Sequence, residues 1–270
     1  SYNFAGNIST YKNKVLSLGG GTNIPGKTHL GNQVNTMIEP GKPIGYFYGY
    51  KMDGVFQTQE EINNYRGGPD NTIIMPTAEP GDLKFVDLNG DGKLGEEDRT
   101  MIGNPHPDFT FGLTLSGEYK GFDLSMFFQG SVGNDILNIL KYDIYSGTGW
   151  YNAPKDIFDK FWTGPGSTNE NFAISANSRD NLTMSEWYIE NGSYVRLKNV
   201  TLGYTFPKQW VQKLTVQNLR LFVAAQNLFT ITSYSGLDPE LGNSNPAFMG
   251  IDMGWYPQAR SFMVGLSLKL

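Results

Sequence analysis

The 270-residue chain can form one large all-β domain, and no stretch of it approaches the ~18–20 consecutive apolar residues that a membrane helix needs. A net charge of −5 argues against nucleic acid, whose binders carry basic stripes, and the absence of Cys excludes a disulfide framework or a thiolate metal site. A mean hydropathy of −0.36 still leaves a membrane β-barrel open, because only alternate residues of a barrel strand face lipid. Aromatic residues at 14% and charged residues at 17%, against about 25% charged in soluble domains, favour a barrel with aromatic girdles over a cytosolic enzyme.

In chain order, Tyr2 to Leu18 predicts a weak strand with Phe4 and Ile8 apolar among Asn, Ser and Thr. The chain opens on Ser1-Tyr2-Asn3-Phe4 without a signal sequence, so further chain is expected upstream. Residues 19–108 then read as one long connection with its own turns. Phe109, Phe111, Leu113 and Leu115 alternate with Thr110, Gly112, Thr114 and Ser116, and Lys120-Gly121 turns the chain into Phe122, Leu124, Met126 and Phe128. That is a hairpin with one apolar face, and Tyr119 and Phe122 flank its turn where a girdle would sit. Residues 133–193 form a second long connection, with a short helix possible over Ala153 to Trp162. Tyr194 to Phe206 changes parity midway, from Val195 and Leu197 to Val200, Leu202 and Tyr204, which predicts a bulge near Lys198. Pro207 ends that strand. Leu219 to Ala225 alternates again, residues 233–259 make a third long connection, and Phe262 to Leu270 closes with clean alternation.

Short and long connections therefore alternate, as between the periplasmic turns and extracellular loops of outer-membrane barrels. A soluble β-sandwich also alternates, but these runs reach ~10–13 residues, nearer the ~9–11 of a spanning strand than the ~5–6 of soluble ones. Six strands cannot close a membrane barrel, whose minimum is about 8, so the outer strands need partners beyond this chain.

The blocks Gly41-Lys-Pro-Ile-Gly-Tyr-Phe-Tyr-Gly-Tyr50, Asp53-Gly-Val-Phe-Gln57 and Pro80-Gly-Asp-Leu-Lys-Phe-Val-Asp-Leu-Asn-Gly-Asp-Gly92 resemble stretches of SusC/RagA-type TonB-linked outer-membrane proteins. So do Ile102-Gly-Asn-Pro105, Tyr119-Lys-Gly-Phe-Asp123, Gly192-Ser-Tyr-Val-Arg-Leu-Lys-Asn-Val200 and Gln226-Asn-Leu228, in the family's order and over nearly the whole chain. The resemblance implies that residues 1–270 are the C-terminal part of a transmembrane antiparallel barrel of about 22 strands with long extracellular loops. The plug and the TonB-contacting segment would lie upstream. It further implies outer-membrane import of oligosaccharides or peptides with a SusD-like surface lipoprotein as lid. A siderophore receptor and a passive porin or adhesin barrel are the alternatives, and a secreted calcium-binding module is a third.

The sharpest local motif is the twelve-residue run 87–98, with oxygen donors Asp87, Asn89 and Asp91 at positions 1, 3 and 5, Gly92 at 6, the Lys93 carbonyl at 7 and Asp98 at 12. That order points to a structural Ca²⁺; the alternative is a turn folded through Asx hydrogen bonds without metal. Trp150, Tyr151 and Trp162, with Trp187 and Trp255, are candidate substrate contacts, since sugar rings stack on exposed aromatic faces. Arg196, Lys198, Arg220 and Gln226 are read as facing inward, available to a plug. His29 and His106 are the only imidazoles, and no nucleophile-base order or phosphate loop accompanies them, so no enzyme is expected.

Overall fold

The computed structural model describes residues 1–27, 33–145, 151–174, 180–211, 216–243 and 245–269. Six strands form one antiparallel sheet in chain order: β1 (Tyr2–Ser9), β2 (Phe109–Tyr119), β3 (Phe122–Val132), β4 (Tyr194–Thr205), β5 (Asn218–Thr232) and β6 (Ser261–Lys269). β2 to β5 span 11, 11, 12 and 15 residues, enough to cross a bilayer at a barrel's tilt.

Register converts the alternation into two faces. One row of paired residues crosses all six strands as Phe4, Leu115, Met126, Val200, Ala225 and Phe262. The next row, Asn3, Ser116, Ser125, Thr201, Ala224 and Met263, points the other way. Among the described residues nothing covers the apolar face: Phe4, Leu202, Val223 and Val264 are all exposed. A water-facing sheet would not leave such an apolar surface open, whereas lipid is its natural cover. The outer edges of β1 and β6 pair with no strand among the described residues, so closure requires strands supplied from beyond this sheet.

The turn of the β2–β3 hairpin places Lys120 at φ +48° and Gly121 at φ +87°, the two left-handed residues of a type I′ turn whose twist matches its strands. A Cβ at Gly121 would come within 2.8 Å of the Thr205 carbonyl oxygen. Beside this turn, Tyr119, Phe122 and Tyr204 lie in one cross-strand row, with the Phe122 and Tyr204 rings 4.6 Å apart. The bulge predicted near Lys198 is present. Phe127 pairs with Asn199 and Phe128 with Leu197, which leaves Lys198 unpaired and resets the parity of β4.

The first strand is shorter than its composition predicts. At Ser9 its partner β2 begins, and the chain beyond leaves the sheet: the Thr10 hydroxyl donates to the Asp108 carbonyl at 2.7 Å, and Val15 and Gly41 bond across a separate layer. All three long connections leave from this end of the wall and fold together into a cap. A four-stranded sheet joins Ile24–Lys27, Val34–Ile38, Tyr46–Tyr50 and Arg99–Gly103, and Met52–Val55 pairs with Leu83–Phe85. Asp135–Asn138 pairs antiparallel with Ile189–Asn191 and parallel with Ile251–Asp252. The buried core lies in this cap, around Phe47, Phe56, Phe85, Leu137, Phe172 and Tyr188. The expected helix within Ala153 to Trp162 is the single turn Ile157–Lys160, and Leu140–Tyr145 adds another that the sequence did not announce.

Candidate functional site

On the polar face of the wall, Asp123 and Arg220 form a two-point ion pair that passes over Gly203 of the strand between them. Arg220 Nε donates to Asp123 Oδ1 at 2.8 Å and Nη2 to Oδ2 at 2.5 Å. A Cβ on Gly203 would sit 2.4 Å from Arg220 Nη2, so a side chain here would push the paired charged ends aside.

At the cap end of the same face, the bulge places Arg196 and Lys198 side by side against residues 238–240. Arg196, with its side chain 3% exposed, binds Asp238 through Nη2, Glu240 through Nη1 at 2.6 Å and the Thr230 hydroxyl through Nε at 2.8 Å; Lys198 Nζ reaches Glu240 at 2.8 Å. Burial raises the Asp238 carboxyl, but the Gln258 and Glu240 N–H groups and the Arg196 guanidinium outweigh it and hold the group below the usual carboxylate range. Two cations and two anions thus tie the third long connection to the wall. Gln226 accepts from the Ser261 hydroxyl at 3.1 Å. Of the four residues read as available to a plug, Arg196 and Lys198 are held by the third long connection, while Arg220 and Gln226 have partners on other strands of the wall.

The loop 87–98 is closed by its own side chains. Asp87 accepts from the Gly90 and Gly92 N–H groups at 2.7 and 2.8 Å, Asn89 from Asp91 at 2.8 Å, and Asp91 from Lys93 at 2.9 Å. Asp98 is fully buried and accepts from Leu88 at 2.8 Å, Asn89 at 3.2 Å and Gly95 at 2.7 Å. The donor set is all oxygen, as a hard cation requires, and Asn89, Asp91 and the Lys93 carbonyl lie on one short arc of chain. Among the described residues, no three His, Asp or Glu side chains converge as a metal cluster. Asx bonds brace the turn, and the candidate oxygen donors follow one another around it. The loop packs on its neighbour: the Thr72 hydroxyl donates to the Gly92 carbonyl at 2.9 Å, and a Cβ on Gly92 would meet the Gly67 carbonyl oxygen at 2.4 Å.

The candidate aromatics are scattered. Trp150 lies outside the described residues, as does His29. Tyr151 is exposed, Trp162 is half-buried with Nε1 donating to Gln57 Oε1 at 3.1 Å, and Trp187 is buried among Phe161, Phe172 and Tyr188. Trp255 donates to the Ile251 carbonyl at 3.2 Å. Two of these rings therefore serve the core of the cap, because the connections pack on themselves instead of waving free. His106 is buried, with its Nε2 2.9 Å from the Ile44 carbonyl and Nδ1 3.4 Å from the Tyr11 hydroxyl, a joint that holds the two ends of the first long connection together. Sequence reasoning missed Asn138, a buried amide in the cap whose Oδ1 lacks a hydrogen-bond partner; nothing in the local pattern of Asp135–Asn138 distinguishes it.

No protein-family model matches the chain. It is 36% identical over its whole length to TonB-dependent receptor P3 of Formosa agariphila, and 31% identical over 97% of its length to receptor P26 of that organism. It is 28% identical over 97% of its length to TonB-dependent receptor SusC of Bacteroides thetaiotaomicron. It spans only about a quarter of these proteins: 27%, 26% and 24% of their lengths. In fold it superposes on the RagAB peptide transporter with a TM-score of 0.73 over 99% of this chain and 26% of that one, at 20% identity. The same wall and cap also match the RagAB peptide importer in its closed-closed state, with a TM-score of 0.71. The relatives are receptors and transporters by name, not enzymes. With the alternating wall, the folded-back cap and these relatives in agreement, the chain belongs to the SusC-like TonB-dependent receptors, of which it forms a length of β-barrel.

Proposed function

We propose that the complete receptor imports a nutrient, an oligosaccharide or a peptide, across the outer membrane of a Gram-negative bacterium, and that this chain supplies barrel wall and extracellular cap. The observation that carries the reading is the two-faced sheet whose long connections all gather at one end, in a chain 36% identical to a TonB-dependent receptor over its full length. In this reading the plug and the TonB-contacting segment belong to the remainder of the receptor. A SusD-like lipoprotein closes over the cap. Residues 19–108 then face the outside, and the aromatic row beside the Lys120-Gly121 turn lies at the periplasmic boundary. The test is uptake of labelled oligosaccharides and peptides by cells with the gene deleted and by cells lacking TonB. The reading expects one substrate class to be lost in both; unchanged uptake of every candidate would end it.

The order of oxygen donors from Asp87 to Asp98 supports a further part of the proposal, a structural Ca²⁺ bound by this loop when the receptor is at extracellular calcium concentrations. The residues that would hold it are Asp87, Asn89, Asp91, the Lys93 carbonyl and Asp98. Its contribution is rigidity of the cap, with no part in transport chemistry.

A further inference from the structure

Near the Lys120-Gly121 turn, the apolar face of the wall has a gap. Three of its cross-strand rows are Phe4, Leu115, Met126 and Val200; then Tyr2, Gly117, Leu124 and Leu202; then, nearest the turn, Tyr119, Phe122 and Tyr204. Gly117 is the only one of these residues without a side chain. A Cβ there would meet nothing within 4 Å except the Ser1 carbonyl oxygen, at 3.4 Å. Along β2 the omission falls between Leu115 and Tyr119, and across the sheet it falls between Tyr2 and Leu124. A groove of about 560 Å³ opens there, bordered further by Phe122 and Met126. Tyr2, Tyr119, Phe122 and Leu124 are exposed along it. A hydrocarbon chain can therefore lie down onto the backbone at Gly117, with side chains on either hand, and gain close dispersion contact that a filled face does not offer.

The end of the groove at the turn carries charge of one sign. Lys120 is exposed, its ammonium lies 5.3 Å from the centroid of the Tyr119 ring, and among the described residues it has no ion-pair partner. Lys208, in the helical turn Lys208–Val211 that follows β4, is exposed as well. Parity sends the two acids of this hairpin end, Glu118 and Asp123, to the polar face, where Arg220 holds Asp123. Stacked rings mark the level along the membrane normal. Phe122 and Tyr204 lie 4.6 Å apart, Tyr204 and Phe206 5.1 Å, and Phe206 and the exposed Trp210 6.4 Å. Such a belt sits at headgroup height, so Lys120, one residue beyond Tyr119, stands level with lipid phosphates. A lysine at that height attracts anionic lipid.

We propose that this groove is a binding site for one anionic phospholipid, with an acyl chain seated on Gly117 and the phosphate beside Lys120. The leaflet rests on the import reading, which sets this turn at the periplasmic boundary; the groove and its charge do not.

The experiment uses the complete receptor, cleared of any other cysteine, in phosphatidylcholine vesicles. Leu202→Cys carries a bimane fluorophore two strands from Gly117, about 10 Å away, and Val264→Cys carries it in the same row four strands away, about 19 Å. Quenching is titrated with phosphatidylglycerol and, separately, with phosphatidylcholine, each bearing a nitroxide on one acyl chain. The expected result at Leu202→Cys is an apparent affinity about fivefold higher for the glycerol lipid, the effect of one lysine near an anionic membrane surface. At Val264→Cys the preference should be clearly smaller.

Two further changes are made in the Leu202→Cys background. Lys120→Asn removes the charge and suits the left-handed turn position, so the preference should fall to about one. Gly117→Leu fills the groove at a residue whose φ is not left-handed, and should weaken quenching by both lipids. If Gly117→Leu fails to fold, Lys120→Asn decides alone. Equal quenching by the two lipids at Leu202→Cys overturns the proposal, as does a preference that survives Lys120→Asn. A second copy of the receptor seated on the groove would shield Leu202→Cys from both lipids while Val264→Cys stays quenched, and this also overturns it. Uptake in cells is scored in parallel. TonB-dependent import without lipid preference overturns the groove site and spares the import reading; a Lys120-dependent preference in a receptor that imports nothing upholds the site and removes only its leaflet.

Discussion

Asp123 and Arg220, on strands separated by β4, meet directly above Gly203, whose missing side chain leaves room for their contact. The pair is about a quarter to a third exposed, with side-chain values of 26% and 29%, so solvent screens part of its attraction. We expect Gly203→Val to displace both side chains and destabilise the folded barrel by about 1–3 kcal/mol through overpacking. Asp123→Asn, which leaves the shape, should cost only about 1 kcal/mol. Urea unfolding of the detergent-solubilised receptor checks both; equal costs would show that the glycine has no special part in letting the pair pass.

The Arg196 network predicts a larger effect. Replacing Arg196 by Ala leaves Asp238 and Glu240 facing each other with Lys198 as their remaining cation, at a cost of about 3–5 kcal/mol for a buried pair broken on one side. Hydrogen exchange over residues 233–243 should accelerate accordingly, whereas Lys198→Met, at a more exposed position, should have a smaller effect. The same segment should respond to acid. The Asp238 carboxyl is lowered in the folded state, so its stabilisation is full above its unfolded pKa near 4 and is lost as pH falls from there through the lowered folded value. Protection should hold flat from pH 8 to 5 and decline below about 4. Protection that decays already between pH 7 and 5 would assign the segment's stability to another group.

The Asp87 loop gives two predictions that differ in their dependence on metal. Asp98→Ala strands the N–H groups of Leu88, Asn89 and Gly95, so it should destabilise the cap by about 2–4 kcal/mol in chelator and by more in Ca²⁺, where a ligand is lost as well. Asp91 holds only the Lys93 N–H at an exposed site, so Asp91→Ala should cost little in chelator but should remove the gain from calcium. That gain is about 2.7 kcal/mol at a hundredfold excess over Kd. Thermal unfolding in EGTA and in millimolar Ca²⁺ measures both, and a wild-type melting temperature indifferent to calcium would remove the cation from the account.

The wall was legible in the sequence and the cap was not, for physical reasons. Along β2 to β6 each residue's face is set by its own parity, so Leu115 and Ser116 announce their sides locally, and the parity break between Leu197 and Asn199 announces a bulge. The cap is held by pairings remote in sequence, such as Leu137 beside Ile251 and Tyr50 bridged to Ser185, and its strands are two to five residues long. No short-range pattern encodes those contacts. The over-extended first strand has the same origin: residues 10–18 keep a strand-like composition, but β2 begins opposite Ser9 and offers them no partner. Tryptophan content likewise pointed to open binding surfaces, while Trp162 and Trp187 are committed to packing.

The central claim is that this sheet is a transmembrane wall with one face to lipid. The chain contains no cysteine, so single cysteines placed on β4 at 199, 200, 201, 202 and 204 can each carry a spin label in the complete receptor, once any cysteine elsewhere in it is removed. In lipid vesicles, labels at positions 200, 202 and 204 should collide with dissolved oxygen and be shielded from a water-soluble nickel chelate. Labels at 199 and 201 should show the opposite preference. A two-residue period in accessibility is the predicted result; uniform exposure of all five to the aqueous reagent would contradict it.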